Sequence, residues 1–594
     1  MKKRAADILI ETLVDLGVND CFAVVGGGSM HLDNALALND DMHKYFMHHE
    51  QSCSMAADSY ARISGYPALV CVTSGPGATN AITGVMGAWV DSIPMIVLSG
   101  QVRYDISVHS SGLPLRYRGP QEFDIISSVS NMTKYAKTLT DPMSVKAEIE
   151  KAYTLAMEGR RGPVWLDIPL NVQNAIVETE DLIRYQPSKD MLKPSDQDLD
   201  FVREEFARAK RPCVLIGSGV IAGGATKEID AFMNNINVPV VGGAHVADVY
   251  YNEHPLFFGL SGNIGPRAGN YILQNADLIL TVGSSLGFKQ TGYTQEKFAP
   301  NAKIIMVDVD ENESKKPGLH VDHVVKSSVK QFLSAMSESD EKLEAPSAWL
   351  DYCGMVYDSL DAFEGAAGTD DDERVCAYRF WKEFDDVQPA DSIVCMGNNT
   401  ACAAKLQVGK RKRDQRYITN YGAGSMGFDL PAAIGACVAL KQEVICVTGD
   451  GSIMMNLQEL QTIRHYDLPI KIIVFSNDGY NAFRQTCLNF FDGLFIGCNA
   501  ETGVSFPSFK AIADLFGFKY LHCETNKDLK QLLTEFFDCH DRVLLEVDQR
   551  LDDPLVPKLM SKILDDGTFS TPSLEVMYPF MPEEKQREFM PDWN

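Results

Sequence analysis

Short apolar runs alternate with helix-like stretches along almost the whole chain. ALVCVTSGPG (68–77), PMIVLSGQ (94–101), PVWLDIP (163–169), PCVLIGSG (212–219), LILTVGSS (278–285), KIIMVDVD (303–310), EVICVTGDG (443–451) and IKIIVFSND (470–478) each have a compact apolar centre, and most close on Gly, Ser or Asp. Near-continuous apolarity over so few residues predicts strands buried on both faces. Helical spacing between the runs predicts crossover helices covering those faces. The fold class is therefore α/β, built of mainly parallel sheets flanked by helices. In such sheets ligands collect beyond the carboxyl ends of the strands, so chemistry is sought in the residues that end each run. At the N-terminus, MKKRAADILIETLVDLG places Ile8, Leu9, Leu13 and Leu16 on one side of a predicted helix. It has no continuous apolar core of the kind a signal peptide needs.

Two breaks divide the pattern. Polar residues with Pro187 and Pro194 interrupt it at 176–197, and DAFEGAAGTDDDER (361–374) reads as an acidic, glycine-containing linker. The blocks are 1–175, 190–345 and 370–550, followed by a proline-rich tail, 551–594, expected to lie extended across the body. A chain of 594 residues exceeds one hydrophobic core, which agrees with roughly three domains. Its formal net charge of −26 disfavours nucleic acids and anionic membranes as partners. The 14 cysteines form no CxxC pair and several sit inside apolar runs, as Cys71 and Cys446 do, so they read as small buried hydrophobes of a reducing compartment. No stretch of about 18 apolar residues is present to span a membrane. The expected location is cytoplasmic.

The strongest local signal lies in the third block. The run EVICVT ends in Gly449-Asp450-Gly451-Ser452, a helix-like segment MMNLQELQTIRHYDLP follows, and the next run ends in Ser476-Asn477. Asp450 and Asn477 are 27 positions apart, a length that a strand, a helix and a strand would bring back to one sheet edge. There they could offer two hard oxygen ligands to Mg²⁺. Gly449 and Gly451 would let backbone approach a phosphate, and a helix starting near Ser452 would aim its amides at the anion. Gly-Asp-Gly alone is usually a turn. Its pairing with Ser-Asn after a second strand is far more specific.

These residues resemble the diphosphate-binding motif of the thiamine-diphosphate enzymes, and most closely that of the acetolactate synthases. VVGGGSM (24–30), HHEQSCSMAADSYARISG (48–65), VTSGPGATNAITGV (72–85), DSIPMIVLSGQV (91–102), GRRGPVWLDIP (159–169) and NYGAGSMGFDLPAAIGA (420–436) follow in the family's order. The resemblance implies a pyrimidine-binding, a central and a diphosphate-binding domain. It implies thiamine diphosphate and Mg²⁺ as cofactors, with Asp450, Asn477 and the Gly479 carbonyl as metal ligands. Glu50 would share a proton with the aminopyrimidine ring. Met426 would be the wedge that bends the cofactor, and the Gly424 carbonyl the acceptor for its amino group. Gly397, Asn398 and Asn399 match a second diphosphate loop, to which Gly449, Gly451 and Ser452 would add contacts. Gln121 matches an active-site glutamine. The site would form between subunits of a homodimer or homotetramer, one chain supplying Glu50 and its partner the diphosphate loop.

Several positions depart from the family. Pro120 precedes Gln121 where a phenylalanine is usual, and Asn398-Asn399 stand for Gln-His. Thr486 replaces a tryptophan that helps to select the acceptor, which points to a larger or more polar acceptor. Arg116 and Arg118 could attract a carboxylate or phosphate, or make surface salt bridges. In the middle block, Ser284-Ser285-Leu286-Gly287-Phe288 stands where flavin-binding members carry arginines, which argues against FAD. Gly259, Gly262 and Gly265 could still approach a nucleotide or simply shape turns. The activity implied is decarboxylation of a 2-keto acid such as pyruvate, followed by transfer of the acyl unit to a carbonyl acceptor. Two-carbon transfer to a nucleotide-linked keto-sugar, simple decarboxylation and a non-catalytic scaffold are the alternatives. A dinucleotide dehydrogenase is disfavoured, because Gly26-Gly27-Gly28 is not GxGxxG with a following acidic residue.

Overall fold

The computed structural model describes residues 1–594 apart from 188–191, 245, 340, 361–367, 371, 564, 565, 567 and 591–594. Three six-stranded parallel sheets follow one another along the chain. The first contains β1 (Asp20–Ala23), β2 (His43–Phe46), β3 (Leu69–Val72), β4 (Met95–Gln101), β5 (Tyr135–Thr138) and β6 (Pro163–Pro169), in the spatial order β2-β1-β3-β4-β6-β5. The second contains β7 (Pro212–Ile216), β8 (Val240–Gly242), β9 (Phe257–Leu260), β10 (Leu278–Val282), β11 (Lys303–Asp308) and β12 (His323–Lys326), ordered β9-β8-β7-β10-β11-β12. The third contains β13 (Ile393–Met396), β14 (Arg416–Ile418), β15 (Val444–Gly449), β16 (Ile470–Ser476), β17 (Lys519–Cys523) and β18 (Val543–Asp548), ordered β14-β13-β15-β16-β18-β17. The first and third sheets share one topology. The middle sheet has the order of a dinucleotide-type doubly wound fold. All eight apolar runs form strands, and β4 and β6 are buried along their whole length, which is why they read as unbroken hydrophobic segments.

The two breaks differ in character. Ile176–Glu178 pairs antiparallel with Lys2–Arg4, so the start of the first break belongs to the first domain. The helix Ser347–Ser359 contributes Trp349, Cys353 and Val356 to the middle core. Much of the expected linker, 361–367 and 371, lies outside the described residues. The tail ties the third domain to the second. The Val556 amide donates to Tyr378 Oη at 2.9 Å and the Leu559 amide to the Asn263 carbonyl at 2.7 Å. Leu559, Leu574 and Phe589 sit in the middle core. It is not wholly extended, since Glu583–Phe589 is a helix.

The first and third domains share a single apolar core across two helices, α1 (Glu50–Ser64) and α2 (Asp429–Leu440). They cross at Gly435, where a Cβ would fall 1.9 Å from the Ala56 carbonyl oxygen. Only glycine permits that approach of backbone to backbone. All 14 cysteines are free, and all but Cys539 are buried. Among the described residues no helix is long and apolar enough to cross a membrane. Gly435→Val is expected to lower the urea-unfolding midpoint by the equivalent of about 1–3 kcal/mol, an overpacking effect. Gly354→Ala, on the helix Ser347–Ser359 with nothing within 4 Å of the new Cβ, is the control and should leave stability unchanged or slightly raised.

Candidate active site

The order of the third sheet reverses between β13 and β15, and the residues that end these strands flank that switch point. β15 runs into a four-residue helix, α3 (Asp450–Ile453), with Gly449 as its cap. The helix therefore begins at Asp450, not at Ser452, and stops after one turn before α4 (Glu459–His465). In the interruption, Asn456 Nδ2 donates to the Gly427 carbonyl at 2.7 Å and its Oδ1 accepts from Ser52 Oγ at 2.9 Å. These side-chain bonds to other segments accompany a turn where periodicity had suggested a continuous helix.

Asp450 is 2% exposed. Its carboxylate accepts from the amides of Gly451 (2.7 Å), Asn477 (2.9 Å) and Gly479 (3.3 Å). Burial pushes its pKa up to about 6, against the pull of these amides. Asn477 follows the end of β16. Its Nδ2 donates to Gln549 Oε1 at 3.0 Å, while its buried Oδ1 has no partner. A desolvated carboxylate beside an orphaned amide oxygen is a hard-oxygen donor set, and these residues fit Mg²⁺. Arg484, on α5 (Asn481–Phe490), donates to the carbonyls of Asn477 at 2.7 Å and Asp478 at 3.3 Å and so holds the loop from behind. Gly479, at φ +146°, packs so closely that a Cβ would lie 1.9 Å from the Cys498 carbonyl oxygen.

The second loop stands alongside. Asn399 Oδ1 caps the helix Thr400–Val408 by accepting from the Cys402 amide at 2.7 Å. Its buried Nδ2 has no partner and lies 3.3 Å from where a Gly449 Cβ would be. That amide group fits a diphosphate oxygen. Asn398 Nδ2 is instead engaged with the Gly424 carbonyl at 3.0 Å. The Ser452 hydroxyl is also committed, donating to Asp429 Oδ2 at 2.7 Å and accepting from the Gly427 amide at 2.8 Å. A Cβ on Gly451 would meet Tyr480 Cε1 at 2.3 Å and Met426 Cε at 3.4 Å, so Met426 and the Tyr480 ring close over this glycine. Gly397 abuts Asp429, whose Oδ2 would be 2.3 Å from an added Cβ. Asp429 falls within the motif NYGAGSMGFDLPAAIGA, but nothing in the sequence marks it, Arg484, Tyr480 or Gln549 as part of the site; contacts between distant segments single them out.

Glu50 opens α1, which is capped by His49, whose Nδ1 accepts from the Gln51 amide. Its carboxylate is buried, accepts from Asn80 Nδ2 at 2.9 Å, and leaves Oε1 facing Gly77, 3.2 Å from a hypothetical Cβ. Gly75, two residues away, has φ +57° and a Cβ there would strike the Gln121 carbonyl oxygen at 2.3 Å. Gln121, at φ +58°, and the Glu50 mouth thus form one surface. Beneath it, Gln101 Nε2 donates to the Phe123 carbonyl at 2.9 Å and to Asp167 Oδ2 at 3.1 Å, and Ser99 Oγ donates to Asp167 Oδ1 at 2.6 Å.

One cavity beside the middle domain, where Ser218 and Val246 face Arg62, Arg416 and Tyr421, is about 100 Å³, and another, lined by Gly259, Pro266, Tyr357 and Arg411, is about 230 Å³. Arg62 is paired with Asp58 and Asp91, and Arg416 with Asp248. Gly262 and Gly265 shape a turn, with the Gly265 amide donating to the Gly262 carbonyl at 3.0 Å.

Three family models match in succession: the N-terminal TPP binding domain of thiamine pyrophosphate enzymes over residues 3–127, the central domain over 199–336 and the C-terminal TPP binding domain over 396–547. The chain belongs to the thiamine pyrophosphate enzymes. It is similar to an acetolactate synthase isozyme 2 large subunit of Escherichia coli (30% identical, covering 93% of this chain and 97% of the relative). It is also similar to a chloroplastic acetolactate synthase of Arabidopsis thaliana (29%, 96% and 84%) and to a probable acetolactate synthase large subunit of Methanocaldococcus jannaschii (30%, 92% and 91%).

Burial pushes the Asp167 pKa up to about 7, so the fold favours the neutral acid. Stability from this preference is complete below the unfolded value of 3.8 and is lost as pH rises through about 7. Between pH 4 and pH 8 the wild type should lose about 4 kcal/mol relative to Asp167→Asn, read from urea unfolding of both proteins across that range. Parallel pH profiles would refute the assignment.

Proposed function

We propose that this enzyme removes CO₂ from a 2-keto acid, with pyruvate the first candidate, and joins the remaining acyl unit to a carbonyl carbon of a second substrate. The bond between C1 and C2 of the keto acid breaks and C1 leaves as CO₂. C2 bonds to the acceptor carbonyl carbon, whose oxygen gains a proton to become a hydroxyl. The reaction needs no external oxidant or reductant. The observation that carries this reading is the pair of buried, pre-arranged groups: Glu50 tethered by Asn80, and Asp450 beside the orphaned Asn477 oxygen.

Thiamine diphosphate, when bound, supplies the electron sink for decarboxylation. Asp450 and Asn477 would hold its Mg²⁺, with the Gly479 carbonyl as a third ligand. Asn399 Nδ2 and the amide of Ser452 would hold diphosphate oxygens. Met426 and Tyr480 would support the cofactor over Gly451. Glu50 would hold and return a proton at a ring nitrogen, and burial protects that exchange from bulk water. Glu50 of one chain would serve the diphosphate loop of its partner in a homodimer or homotetramer. The buried free cysteines suit a reducing, cytoplasmic setting.

A specific observation favours an acceptor larger than a simple keto acid, such as a nucleotide-linked keto-sugar. Thr486 is a small residue whose hydroxyl turns back to the Ala482 carbonyl at 3.2 Å, and the neighbouring Phe483 is 43% exposed. Thr486 leaves this position of α5 with a small polar side chain. The test is incubation with thiamine diphosphate, Mg²⁺ and ¹³C-labelled pyruvate, with and without keto-acid and keto-sugar acceptors, followed by mass spectrometry. Labelled carboligation product is expected. Cofactor binding without turnover of any 2-keto acid would leave only the scaffold reading. Glu50→Gln should lower CO₂ release by about 10²–10⁴-fold.

A further inference from the structure

The segment between Gln101 and Gln121 is an exposed loop that the reaction scheme does not use. Its end is fixed to the Glu50 mouth, because the Gln121 carbonyl packs against Gly75. Its body is braced from within. Arg118 Nη1 donates to the carbonyls of Asp105 at 3.1 Å and Ser107 at 3.3 Å, and Glu122 accepts from the amides of Arg118 and Gly119, both at 2.9 Å. Arg103 is paired with Asp105. The loop is therefore a shaped surface.

On that surface Arg116 is exposed and makes no ion pair or hydrogen bond among the described residues. Next to it Tyr117 is 71% exposed and Leu115 47% exposed. Residues 103–122 hold Arg103, Arg116 and Arg118 against Asp105 and Glu122 in a chain whose net charge is −26, and Arg103 is already paired with Asp105. An acidic protein repels anions from most of its surface, and an unpaired guanidinium offsets that repulsion locally where a substrate must enter. An unpaired guanidinium is suited to a phosphate oxygen pair, and an exposed aromatic face to a planar base. A small keto acid has nothing for Tyr117 to touch.

We propose that the loop carrying Arg116 and Tyr117 is the acceptor-recognition site, and that it takes a nucleoside diphosphate group, with the arginine on the phosphates and the tyrosine on the base. The inference rests on the carboligase reading and narrows its acceptor. A nucleoside diphosphate group reaches such a site either on a sugar or within coenzyme A, and competition tells which.

The experiment uses the full chain loaded with thiamine diphosphate and Mg²⁺. CDP, UDP, dTDP, GDP, ADP and inorganic diphosphate are titrated by calorimetry against wild type, Arg116→Ala, Arg116→Lys and Tyr117→Ala. Circular dichroism and thermal midpoints check that each variant is folded. At least one nucleoside diphosphate should bind more tightly than inorganic diphosphate. Arg116→Ala should weaken it by about tenfold or more, with partial recovery in the lysine variant, and Tyr117→Ala should remove the advantage over inorganic diphosphate. UDP-glucose and coenzyme A, tested as competitors, distinguish the two sources. No nucleoside diphosphate binding, equal binding of inorganic diphosphate, or binding unchanged in both alanine variants would overturn the proposal. Labelled carboligation product formed from ¹³C-pyruvate by the same wild-type preparation would then show that the carboligase reading survives without it.

Discussion

The site depends on one desolvated carboxylate. Asp450 sits at the end of β15 and takes amides from its own turn and from the loop after β16, so two strand ends are held in register by a single side chain. Such an arrangement is costly to bury without a cation, and the raised pKa of the carboxyl records that cost. Arg484 offsets it partly by neutralising the loop from the far side while leaving the Asn477 amide oxygen free. These oxygen donors are held in place by the protein alone, and preorganisation of this kind would keep the ordering entropy out of the binding of a cation.

The rest of the architecture keeps this loop and the Glu50 carboxylate rigid. α1, which begins with Glu50, crosses α2 at a glycine where backbone meets backbone, and the shared core beneath them joins the first and third domains. The bond from Ser52 on α1 to Asn456, six residues beyond Asp450, links the two functional regions through side chains as well. The C-terminal tail completes the assembly by closing the third domain onto the second.

The mouth of the site stores a small amount of backbone strain. Gln121 adopts a left-handed conformation directly against Gly75, itself at positive φ, and Gln101, held by Asp167, bonds the Phe123 carbonyl just beyond it. A non-glycine residue in this region costs on the order of 1 kcal/mol and persists only where its neighbours impose it. Here the imposed geometry presents the loop of Arg116 and Tyr117 to solvent at the place where a second substrate would approach.

Much was determined by the order of residues alone. Strands buried on both faces must be apolar along their length, so the eight runs were visible as strands, and the Gly-Asp-Gly to Ser-Asn spacing returned Asp450 and Asn477 to one edge. Glu50 was legible only through its motif, since a single glutamate at a helix start has no chemical signature. Tertiary structure decided what local patterns cannot encode. It stopped the helix after Ile453, where Asn456 bonds to distant segments, and it turned the Ser452 hydroxyl toward Asp429 and Asn398 toward Gly424. It also drew Arg484, Tyr480 and Gln549 to the loop of Asp450 and Asn477. The reason is the same in each case: a hydrogen bond or a close packing contact between residues far apart in the chain depends on where the backbone has already gone, and periodicity and spacing carry no information about that.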